Sequence, residues 1–105
     1  MTKAVQDIKT GQSIPALEIG TEQTISVTSS SAATSSAFGG TSLVVRVVST
    51  TDCHIAFAAS PTATTSNTYL PANQVEYFKV PTPGTSKLAA IRANADGTLY
   101  VTEMA

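Results

Sequence analysis

The amino-acid sequence predicts an all-β protein: an antiparallel β-sandwich or a jelly-roll-like small barrel of about seven to eight short strands. Three observations carry this. Valine, isoleucine, threonine and aromatic residues gather in short runs, several alternating with period two. Clusters of Gly, Pro, Asn, Asp and Ser separate these runs at roughly ten-residue intervals. No stretch sustains a helical apolar period between caps. With 105 residues the chain has room for one core. It divides into an N-terminal arm, residues 1–12, and a single β domain, 13–105, interrupted by a long Ser/Thr/Gly loop at 28–42.

The arm is polar, with Val5 and Ile8 isolated in it. Their spacing admits a short helical turn, but Gly11 and the terminal position favour a loose arm, able to order against a neighbouring subunit. Ser13 to Ile19 reads as an edge strand, because Pro15 cannot donate to a ladder. Gly20-Thr21-Glu22 is expected to turn the chain, and Gln23 to Val27 to form the next strand. Residues 28–42 set small polar residues around one aromatic, Phe38, followed by Gly39-Gly40. This composition fits a flexible surface loop; it also fits a contact loop that orders against a partner with Phe38 as its apolar anchor.

Leu43 to Ala58 is the expected centre of the core. Four valines surround Arg46, and Cys53, Ile55 and Phe57 alternate with His54, Ala56 and Ala58. The polar join Ser49-Thr50-Thr51-Asp52 favours a turn, so the two runs are expected to form a hairpin. Pro61 and Pro71 bracket the next segment, where Tyr69-Leu70 is expected to tuck under the sheet edge. Gln74 to Val80 reads as a strand with Phe78 and Val80 inward and Tyr77 partly covered. Pro81 to Gly84 is a turn. Lys87 to Arg92 reads as a strand, since its flanking turns are too close for a helix. Asp96-Gly97 is a short hairpin signal before the closing strand, Thr98 to Met104, with Leu99 and Val101 on one face.

Charged residues make up 12% of the chain and the net charge is −1. Six scattered cations form no basic face, which speaks against nucleic acid as a partner. No apolar run approaches the length of a membrane helix. The N-terminus lacks an apolar signal core, so synthesis in a cytoplasm is expected. The 29 Ser and Thr residues suit exposed strands and joins rather than charged helices. A lone cysteine excludes an intrachain disulfide.

Asp52, Cys53 and His54 are adjacent, yet neighbouring strand residues point to opposite faces, so Cys53 and His54 cannot form a dyad. One His and one Cys fall short of a structural zinc site. The seven carboxylates, Asp7, Glu18, Glu22, Asp52, Glu76, Asp96 and Glu103, show no calcium-loop pattern. Gly39-Gly40 lacks the lysine of a phosphate loop. No catalytic residue, cofactor or metal is therefore expected. Tyr69, Tyr77 and Tyr100 suit core packing, with a sugar-binding platform as the alternative.

From Thr51 onward the chain resembles a family of small tailed-phage virion proteins. The matching pieces are CHIAFAASPTATTSNTYLPAN (53–73), VEYFKVPTPGTSKLAAI (75–91) and ADGTLYVTEM (95–104). Their order is a strand ending in an S-P-T-A loop, an LPA turn, an aromatic-Val strand and a closing G-T-L-Y-V-T-E strand. Residues 1–42 take no part in it. The resemblance implies a non-enzymatic virion component, in the first place a capsid decoration or cement protein that bridges neighbouring capsomers. Its partners would be the major capsid protein or another virion protein, with a homo-oligomer, a trimer by preference, on the particle. A tail, neck or fibre-base protein is the alternative within that class, and a glycan- or receptor-binding sandwich the alternative outside it. The resemblance assigns no individual residues. From the residues themselves, Phe38, Gly39, Gly40, Val5 and Ile8 are the expected partner contacts.

Overall fold

The computed structural model describes residues 3–6 and 13–105; for Lys3–Gln6 and Ser13–Ala16 it gives backbone pairing alone. Ten strands follow in order: β1 (Lys3–Gln6), β2 (Ser13–Ala16), β3 (Ile19–Val27), β4 (Ala32–Ala33), β5 (Val44–Ser49), β6 (Cys53–Ala58), β7 (Thr68–Leu70), β8 (Glu76–Lys79), β9 (Lys87–Arg92) and β10 (Gly97–Met104). The first two pair only with each other in the sheet topology, Pro15 standing opposite Ala4. The remaining eight make two antiparallel sheets of order β3-β10-β5-β8 and β4-β9-β6-β7. Pairing β3 with β10, β4 with β9, β5 with β8 and β6 with β7 is the nested order of a jelly roll, two sheets packed rather than one closed barrel.

This order corrects two expected hairpins. β5 and β6 do not pair: Ser49 to Cys53 is an arch that carries the chain from one sheet to the other. The Asp96-Gly97 turn is a second arch, between β9 and β10. Local turn chemistry is alike for a hairpin and an arch. What separates them is that the flanking strands bury apolar faces against each other across the sandwich. The two arches lock together. Thr50 N–H donates to Thr98 O, Ala93 N–H to Asp52 O, Thr51 Oγ1 to Ala95 O, and Thr98 N–H to Thr50 Oγ1, at 2.8 to 3.0 Å. A Cβ on Gly97 would lie 2.6 Å from Thr51 Cγ2, so only glycine admits this approach.

Between the sheets lie Ile25, Val27, Val45, Val47, Cys53, Ile55, Leu70, Val80, Leu88, Ala90, Leu99 and Val101, all buried. Phe38 joins them, fully buried, with Phe57 and Phe78 in a tilted row at centroid distances of 6.3 and 5.9 Å. Segment 28–42 thus has ordered structure. β4 pairs with β9, Thr34 and Phe38 amides bond Leu88 and Ser86 carbonyls, and Gln23 holds Ser36 through both its amide atoms. Gly20-Thr21-Glu22 is not a turn but part of β3, where Gly20 and Thr21 form a bulge opposite Glu103, between the pairs Glu22–Thr102 and Ile19–Met104. There Gly20 lets the backbone of Glu103 come close, 3.3 Å from where its Cβ would stand. Tyr77, expected to be partly covered, is exposed. Glu18 and Ala105 exchange two backbone hydrogen bonds beside this end of the sheet.

Candidate functional site: an open sheet face

The outer faces of the two sheets differ. On the β4-β9-β6-β7 sheet, Ala89 occupies an outward position opposite Ala56 and Ala33, yet it is fully buried. Residues 59–67 leave β6 and return to β7 on one side of this sheet. The Ala63 amide nevertheless bonds Ser31 Oγ at 2.8 Å, beside β4 on the other. The segment therefore crosses the outer face and covers its middle, at Ala89, leaving Tyr69 and Ala33 exposed at the sides. Asn67 O holds it at 3.0 Å from His54 Nδ1.

Among the described residues, no segment covers the outer face of the β3-β10-β5-β8 sheet in this way. Strand alternation sends Leu99, Val101 and Glu103 inward and Tyr100, Thr102 and Met104 outward. Registers then set three rows across the sheet. Thr24, Tyr100 and Val48 form one; Glu22, Thr102, Arg46 and Tyr77 the next; Ile19, Met104, Val44 and Lys79 the third. All of them but Thr24, Val44 and Lys79 line an open depression of about 590 Å³. Ile19, Tyr77 and Tyr100 are exposed on this face, as is Val75 just before β8; Tyr69, on the other sheet, is the fifth large exposed apolar side chain among the described residues. Such a concentration marks an interaction surface. Arg46 and Glu22 have no ionic partner among the described residues; the ion pair seen there is Arg92–Asp96, at 2.6 Å.

The expected contact residues do not gather here. Phe38 is 0% exposed, so it anchors the loop to this chain's own core and is not available to a partner. Gly39 and Gly40 are both exposed, and Gly39 donates its amide to Glu103 Oε1 at 2.7 Å. Val5 stands opposite Ile14 in the β1–β2 register; Ile8 lies outside the described residues. None of the three tyrosines takes the core position expected for it, because each lies at an outward strand position and is exposed: Tyr77 and Tyr100 share the open face, and Tyr69 pairs with His54, ring centroids 5.4 Å apart. Glu103 was the residue whose role sequence reasoning missed. Buried at 5% exposure, its carboxylate takes both the Gly39 amide and the Ser42 hydroxyl, the latter at 2.6 Å. Its parity with Leu99 and Val101 was the available signal. Arg46, the single interruption of the valine run, likewise signalled the open face.

Cys53 and His54 do point to opposite sides of β6. Burial raises the Cys53 thiol pKa, opposed by a hydrogen bond with Ser49. A hydrogen bond to the Asp52 carboxylate raises that of Tyr69. Asp52 Oδ1 also accepts the Ala72 amide at 2.7 Å, tying the first arch to β7. Among the described residues no cluster of His, Cys, Asp and Glu is arranged to hold a metal ion. The described residues contain no helix long and apolar enough to cross a membrane. Comparison with family models, curated proteins and solved structures finds no match to the chain.

Proposed function

We propose that this chain is a non-enzymatic structural protein of a tailed-phage particle, decorating and stabilising the capsid exterior by bridging neighbouring capsomers. The observation that carries the reading is the asymmetry of the sandwich: one outer face is crossed and partly covered by the chain's own 59–67 segment, and the other gathers exposed apolar side chains in an open, shallow field. A field of that shape suits docking on a broad protein surface better than enclosing a small molecule. The resemblance of residues 51–104 to small virion proteins supports the particle. The jelly roll supports it by analogy of fold, since capsid domains use that architecture. The test is to mix purified protein with undecorated shells and measure the amount bound. Saturating binding to the head that weakens at least tenfold in Tyr100→Asp supports the reading. No binding to any shell overturns it, and labelling confined to the tail would move the protein to the neck or a fibre base.

A second reading rests on Tyr77 and Tyr100 flanking Arg46 on the open face. Two aromatic rings beside a guanidinium form a platform for an acidic saccharide. Glycan-array binding abolished by both Tyr77→Ala and Tyr100→Ala would favour it over the shell.

A further inference from the structure

We infer that the open face is a self-association surface, on which a second copy of the chain packs face to face about a twofold axis running along β10. Charge placement identifies this occupant. Glu22 and Arg46 stand in one row, each one strand away from Thr102 on β10. Two strand spacings put them about 10 Å apart, and no ion pair joins them within the chain. Rotation about an axis along β10 exchanges the two sides of that strand. Glu22 of each copy then comes over Arg46 of the other, forming two ion pairs from two unpaired residues.

The same rotation stacks the apolar rows. Tyr100 meets Tyr100 of the second copy, Met104 meets Met104, and Ile19 meets Val44. The other in-plane twofold axis, across the strands, would set Glu22 on Glu22 and Arg46 on Arg46, and like charges in contact are strongly disfavoured. The charges therefore select one of the two isologous arrangements. Face-to-face sheets lie about 10 Å apart and cross at about −30°, a gap that these side chains fill. Four strands of about six residues span about 19 by 20 Å, below the roughly 800 Å² per partner of a standard interface. The dimer is accordingly weak and concentration-dependent.

The shell and a second copy compete for this one face, and the weak dimer gives way where a shell is present; sedimentation equilibrium of the isolated chain tests the second copy alone. The wild-type chain should move from monomer to dimer mass as concentration rises. Glu22→Arg and Arg46→Glu should each weaken dimerisation about tenfold or more, about 1.4 kcal/mol, and the double reversal should restore it. Circular dichroism checks that each variant is folded. A second measurement needs no charge reversal: Thr102→Cys, on the axis, should be joined to itself by a bifunctional maleimide of about 10 Å reach. Thr64→Cys, on the covered side, should not. A wild-type chain that stays monomeric, a double reversal no better than the singles, or equal cross-linking at both cysteines would overturn the inference.

Discussion

Glu103 is a carboxylate facing a hydrophobic interior, held there by one amide and one hydroxyl. Glu103→Ala removes the acceptor from both, and the buried Ser42 hydroxyl left without one costs about 1–3 kcal/mol, while the exposed Gly39 can turn to water; urea unfolding should show a loss of that size, with Glu103→Gln losing less. Gly97→Ala should cost about 1–3 kcal/mol, because its methyl group meets Thr51 and Thr50 from the locked arch. Gly40→Ala, with nothing within 4 Å, should leave the melting midpoint unchanged. Cys53 gives a pH dependence. Its thiol pKa lies above the ordinary value of about 9.0 in the folded chain, so the unfolded chain ionises first. The stability linked to it is complete below about pH 9 and is lost as pH rises from there through the folded value. Urea unfolding across that range should show the decline, and Cys53→Ala should remove its share of the slope.

Strand positions were legible because alternation and β-branched content act locally: β5, β6, β9 and β10 lie where their apolar runs place them. Partners were not legible. Asp96-Gly97 and Ser49 to Asp52 make tight bends in either setting, and the choice of arch over hairpin lies in which faces meet across the core, a property of the whole chain. Phe38 shows the same limit. A lone aromatic among serines looks like an exposed anchor until the space between Phe57 and the β8–β9 turn is known. The core strands can be tested directly. Val45→Asp and Ile55→Asp place a charge at positions of 0% and 2% exposure on opposite sheets. Each should abolish cooperative unfolding, since an unpaired buried charge costs several kcal/mol against a total of about 5–15.

For the molecule as a whole, nested pairing makes most strand neighbours distant in sequence; within the sandwich, β6 and β7 are the consecutive strands that pair. Such topologies fold on a time scale of about milliseconds to seconds. Hydrogen exchange should be slowest in β5, β10, β6 and β9, the inner strands, and fastest in β4 and β7 at the edges. The hydrogen bonds between Glu18 and Ala105 have a mechanical consequence. A tension applied between these two points peels β3 from β10 one rung at a time, whereas a pull along both strands would strain every rung at once. The fold is therefore soft to a tug at that corner, and any load it bears in an assembly has to enter broadside, through the plane of its sheets.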